Sequence, residues 1–195
     1  MQKVLQWEKG IEEYLSEFKK LQIKRPQNCE RCGCTKFHKW GTYERFVIEE
    51  NAEHRISIQR FYCIKCEQTC SSLPSFCVSG VCYSLDFIIK FLRVLILKIS
   101  FELDELKRQA YAFLKRFVQS ENLILAYLRS RGFGEFPEAK KERTMKIFTA
   151  LLEIHKRGNL LFDFFQETNR HFMSINKGVS CNFSRKKSFQ HGLTL

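Results

Sequence analysis

The stretch 61–70, FYCIKCEQTC, places Cys63, Cys66 and Cys70 within ten residues, and a second group, Cys29, Cys32 and Cys34, lies upstream. Thiols at this density cross-link a chain, carry redox chemistry or bind metal. Cys29-Glu30-Arg31-Cys32 and Cys63-Ile64-Lys65-Cys66 both have CxxC spacing, with 30 residues between Cys32 and Cys63. A CxxC turn sets two thiolates on one side of a tight loop. Two such loops complete a tetrahedral site of the kind zinc fills. Gly33 follows the first pair, where the turn favours a residue without a Cβ. The spacing therefore predicts one structural Zn²⁺ site at Cys29, Cys32, Cys63 and Cys66.

Cys34 is a rival thiolate, and His38 and His54 are substitute ligands, although four cysteines already close the site. Cys70 lies four residues past Cys66 and is expected to pack as a small apolar side chain. A redox role needs a CxxC at a helix start beside a βαβ pattern, which this sequence lacks. The nine cysteines are odd in number and the N-terminus, MQKVLQWEKG, has no apolar run. A cytoplasmic, reducing location is expected, and it favours metal over disulfides.

A closed four-cysteine site offers no open position to substrate, so it predicts folding rather than hydrolysis. No Gly-rich phosphate loop, HExxH or GxSxG occurs. The acids Asp86, Asp104 and Asp163, with Glu102, Glu105, Glu153 and Glu167, have no strand pattern to frame a two-metal nuclease site. Cys181 with His171 or His191, and the lone His155, are coincidences of type. The expectation is a protein that is not an enzyme.

The elements that must position the cysteines follow from periodicity. Apolar residues from Val4 to Leu21 recur at helical spacing, so 1–27 reads as a helix and linker stopped by Pro26. Residues 28–76 read as a β zinc ribbon. There HRISIQRFY (54–62) alternates Ile56 and Ile58 with polar neighbours, and Glu49 to Glu53 form a polar turn. Residues 77–176 read as a helical domain, with helices over 85–99, 102–118, 121–131 and 141–166, the last interrupted at Gly158-Asn159. The run 85–99 carries Asp86, Lys90, Arg93 and Lys98 and is too short to span a bilayer. It is expected to be a central core helix, with a membrane-surface helix as the lesser alternative, and no membrane partner is expected. Residues 177–195 are unpatterned and expected to be disordered. The predicted fold class is α+β: a small N-terminal ribbon flanked by a helix, then an all-α part.

The chain carries a net charge of +12. Residues 1–82 hold 13 basic and 10 acidic side chains, whereas 83–195 hold 20 and 11, so the helical part supplies most of the attraction for polyanions. The ribbon would display Lys36, His38, Lys39, Trp40, Tyr43, Arg45, Arg55, Arg60 and Tyr62, residues suited to phosphate contact and base stacking. Trp40 is expected to form a small core under the hairpin instead.

The motifs NCERCGCTKFHKWGTY and RFYCIKCEQTCSSLPSF resemble the zinc ribbon at the front of bacterial insertion-sequence transposases and their accessory proteins. The likeness covers about fifty residues, from Asn28 to about Phe76. It implies the same four metal ligands and a helix-turn-helix-like continuation, in a family with many members that have no catalytic domain. Glu67 stands where glycine is usual after the second pair, and Cys70 where an aromatic is usual. A helix-turn-helix over 101–118 would turn Lys107, Arg108, Lys115 and Arg116 towards phosphates, yet it lacks the customary glycine in its turn. The leading expectation is a DNA-binding targeting or accessory factor, or a non-catalytic remnant of a transposase. Its nucleic-acid contacts would be Lys36, Lys39, Arg45, Arg60, Lys107, Arg108, Lys115 and Arg116, and its protein partners a transposase or a second copy. The alternatives are a protein-interaction adaptor with a structural ribbon and an RNA-binding ribbon.

Overall fold

The structure, a computed structural model, describes residues 1–99 and 107–173. The expected tail, Cys181, His191 and the start of the 101–118 segment, with Glu102, Asp104 and Glu105, lie outside the described residues.

The fold is α+β, as the sequence predicts, with strands in the N-terminal half and helices mostly following. Strand β1 (Gln2–Leu5) precedes helix α1 (Ile11–Glu17) and a 3-10 turn (Phe18–Lys20). Then come β2 (Phe37–Ile48), β3 (Glu53–Cys63) and β4 (Thr69–Pro74). The helices α2 (Leu85–Leu97), α3 (Lys107–Gln119), α4 (Glu121–Ser130), α5 (Lys140–Arg157) and α6 (Leu160–Thr168) follow. The sheet order is β1-β4-β3-β2, antiparallel except for the parallel pair β1 and β4.

The N-terminal strand corrects the expected helix over 2–21. Val4 and Leu5 fit a helical stripe, but residues 2–5 pair instead with 71–74 of β4, leaving the helix to begin at Ile11. Edge pairing with a neighbour distant in sequence overrides local periodicity. Val4 then packs into the helical core, so the edge strand β1 ties the sheet to the helices.

The β2–β3 hairpin turns through Glu49 and Ala52, whose backbones hydrogen-bond at 2.8 Å. Its register shifts between Lys39 and Thr42, where Gly41 takes φ +68°. Such a bulge bends the strand and re-aims its side chains. On β3, Ile56 and Ile58 pack with Tyr14 of α1, and the Tyr14 hydroxyl donates to Ser57 O at 2.9 Å. Between Ile58 and Gln59 the buried parity changes, and Phe61 and Cys63 join Ile23, Cys29, Phe37 and Cys70 in a second cluster.

Helix α2 is the central core helix expected over 85–99. Ser84 caps it by accepting the Phe87 N–H, and Leu85, Phe87, Ile88, Ile89, Phe91, Leu92 and Ile96 are buried. No helix among the described residues is long and apolar enough to cross a membrane.

Polar ties join the sheet to the helices. The Arg116 Nε of α3 donates to Met173 O at 3.1 Å and its Nη2 to Ser79 O at 3.2 Å. His171 Nε2 lies 2.9 Å from Gln2 O, and Lys90 of α2 pairs with Glu50 of the hairpin turn.

Candidate metal centre

The two CxxC turns are built alike. In the first, Gly33 N–H donates to Cys29 O and Cys29 N–H to Cys34 O, both at 2.8 Å. In the second, Glu67 N–H donates to Cys63 O and Cys63 N–H to Gln68 O, both at 3.0 Å. Each turn needs a left-handed residue straight after its second cysteine, and Gly33 (φ +70°) and Glu67 (φ +57°) supply it. Glu67 therefore takes the glycine conformation at the expense of a Cβ clash with its own backbone. The second turn is anchored on the end of β3 and the first beside it on the loop leading to β2. The β2–β3 pairing, Phe37 opposite Cys63, brings the two turns face to face.

The sulfurs of Cys29, Cys32, Cys63 and Cys66 all lie within 4.8 Å of one another, with Cys29 to Cys66 at 3.5 Å and Cys32 to Cys63 at 3.6 Å. A tetrahedral zinc–thiolate site, with Zn–S about 2.3 Å, sets its sulfurs about 3.8 Å apart. The four cysteines fit a metal ion of that size, as the spacing predicts.

The protonation pattern gives a second reason. The Cys66 backbone N–H, then that of Lys65, pulls the Cys63 thiol down to about 6. Burial pushes Cys29 up, but the Arg31 and Cys32 backbone N–H groups outweigh it and the net direction is down. The Cys34 N–H lowers Cys32, yet burial and the neighbouring thiols carry it up to about 12. Burial also raises Cys66. Thiols this close cannot all ionise without a counter-ion, because like charges repel. A divalent cation removes that conflict.

The rival ligands are elsewhere engaged. Cys34 Sγ accepts the Lys36 N–H at 3.4 Å and stands outside the cluster. Cys70 is fully buried among apolar neighbours, and burial pushes its thiol up to about 11. His54 sits between Glu12 (3.5 Å) and Glu49 (3.2 Å), and His38 is exposed.

The predicted nucleic-acid residues divide sharply. Lys36, just before β2, and Lys39 on β2 are exposed, and Lys107, Arg108 and Lys115 are exposed on α3. Arg116 is a correction: it is buried, and its guanidinium serves two carbonyls inside the protein. The signal was present, since Ala110, Phe113 and Phe117 mark the inward face and Arg116 lies one turn from Phe113. Arg45 is also turned inward, its Nη2 donating to Val78 O (2.7 Å) and Val81 O (2.5 Å). Arg60 is half-buried and lies over the Tyr43 ring, and Arg55 pairs with Glu44 at 3.3 Å. Residues 107–118 form one uninterrupted helix, so of the two readings of 101–118, two short helices with a turn or one long helix, no turn falls within these residues.

Trp40 is a second correction. It joins no core cluster and remains 50% exposed, stacked on Tyr62 with centroids 4.7 Å apart and planes 24° from parallel. The downstream acids make pairs: Asp86 with His155 (2.7 Å), Asp163 and Glu167 with Arg131, and Glu153 with Arg157 (3.8 Å).

No family model, no curated protein and no solved structure matches the chain. Fold and site together define an α+β chain with a four-cysteine metal-ligand cluster consistent with a zinc ribbon.

Proposed function

We propose that the chain is a zinc-stabilised DNA-binding protein of the kind that accompanies bacterial insertion-sequence transposases, acting as a targeting or accessory factor and not as an enzyme. Cys29, Cys32, Cys63 and Cys66 would hold the zinc. Bound there, the ion supplies charge compensation for four thiolates and a cross-link between the two turns. The chain's own residues then do the binding.

The observation that supports this reading is a set of exposed cations without acidic partners. Lys36, Lys39 and Lys65 on the ribbon, and Arg108 and Lys115 on α3, make no ion pair among the described residues. A solvated protein face usually intersperses its charges. Unpaired cations on rigid elements suit a phosphate backbone, where each contact releases a counter-ion.

The test is duplex-DNA binding by the zinc-loaded protein over a salt series. Affinity should fall steeply with salt, with a slope near 0.9 per phosphate contact. A flat response, or no binding at physiological salt, overturns the reading and turns attention to the adaptor role. Selection from a random duplex pool then tells whether one sequence is preferred.

A further inference from the structure

Trp40 and Tyr62 stand together at the metal end of the hairpin. Tyr62 pairs in register with His38, and Trp40 enters the bulge that Gly41 closes. The bulge brings the indole onto the Tyr62 ring. One indole face is thereby covered by the tyrosine ring, and the residue remains 50% exposed. The tyrosine fixes the orientation of the indole, so a flat ligand arriving opposite it loses little further side-chain freedom.

The surroundings are cationic. Lys36, just before β2, is exposed, whereas Lys39 pairs with Phe61 and so belongs to the other face of the sheet from Tyr62. Ile64, 42% exposed, ties the second CxxC turn to the residue before β2 by donating its N–H to Lys36 O at 3.4 Å, which brings Lys65 to the same end. Glu67 opposes them, and its charge reaches Tyr62. The arrangement is a half-exposed aromatic stack at the end of the hairpin where the exposed Lys36 and Lys65 also lie.

We propose that this seat stacks an unpaired nucleobase on Trp40 while Lys36 and Lys65 take the flanking phosphates, so that the ligand class is single-stranded nucleic acid. A paired base in a duplex has both faces covered by its neighbours and cannot use the indole. An acidic protein surface would meet the lysines but has no need of the ring. The inference rests on the nucleic-acid reading above and adds a strand state to it.

The experiment titrates the zinc-loaded protein with oligo(dT) and oligo(rU) of about 16 nucleotides, and with a duplex of equal length, following tryptophan fluorescence and affinity. Trp7 is packed against Tyr14, with Nε1 donating to Gly10 O at 3.0 Å, so quenching that disappears in Trp40→Leu belongs to Trp40. The single strand is expected to quench. Trp40→Leu should weaken it roughly 5- to 150-fold while changing duplex affinity little, and Trp40→Phe should recover part of the loss. Equal use of the two oligomers means a sugar-blind stack, and a preference names the sugar; both support the seat. If duplex binds but Trp40→Leu leaves single-strand affinity and quenching unchanged, the seat is overturned and the DNA reading stands. If no nucleic acid binds, both fall. Trp40 is exposed, so bound zinc and Tm should match the parent protein and certify folding.

Discussion

Cys63 and Cys70 share one strand–turn–strand unit and have different chemistry. Cys63 faces three other sulfurs, while Cys70 faces Phe37, Phe61 and Ile23. Cys63→Ser or Cys66→Ser should therefore lose stoichiometric zinc, seen by atomic absorption, together with the amide signals of the hairpin. Cys70→Ser should keep the zinc and lower stability by about 1–3 kcal/mol, the cost of an unpartnered hydroxyl in an apolar pocket. Zinc loss in Cys70→Ser equal to that in Cys66→Ser would mean that the ligand set is wrong. Glu67 offers an opposite test. Its φ of +57° is a glycine conformation, so Glu67→Gly should stabilise the metal-loaded protein by about 1 kcal/mol in a denaturant titration. A destabilised Glu67→Gly would show that the glutamate side chain contributes more than its backbone strain costs.

Helix α3 carries two kinds of arginine about two turns apart. Arg108 and Lys115 point to solvent, whereas Arg116 closes the carbonyls of Ser79 and Met173. Arg116→Ala should destabilise by roughly 2–4 kcal/mol, because two buried acceptors lose a charged donor. Arg108→Glu with Lys115→Glu should leave the unfolding midpoint within about 0.5 kcal/mol of the parent. The same pair should lower duplex-DNA affinity and reduce the salt slope by about 2 if both touch phosphate. An unchanged slope assigns DNA binding elsewhere. The helical stripes were legible at this scale because 3.6-residue periodicity reports which face is buried. Arg116 escaped that reading because a guanidinium counts as polar in a pattern even when its stem packs and its head finds carbonyls.

Across the molecule, residues far apart in sequence fasten the sheet to the helices. His171 reaches Gln2 O, and Ser75 accepts the Trp7 N–H at 3.1 Å and meets Asn159 Oδ1 at 2.6 Å. Burial lowers the His171 pKa below its ordinary 6.5. The unfolded chain therefore binds a proton at about 6.5 that the folded chain refuses. The contribution of His171 to stability is complete above that pH and is lost as pH falls through the window beneath it. Denaturant midpoints on either side of pH 6.5 should converge in His171→Gln relative to the parent, with zinc content followed to separate acid release of metal. Identical pH profiles for the two proteins would remove His171 from the account. The cysteine ligands and the core helix α2 were determined by the sequence alone, since ligand spacing and apolar periodicity are local properties written in neighbouring residues. The parallel strand β1, the inward Arg45 and Arg116, and the open Trp40–Tyr62 stack were decided only by tertiary structure. Each depends on a partner dozens of residues away or on a bulge that re-aims a side chain, and neither leaves a local pattern to read.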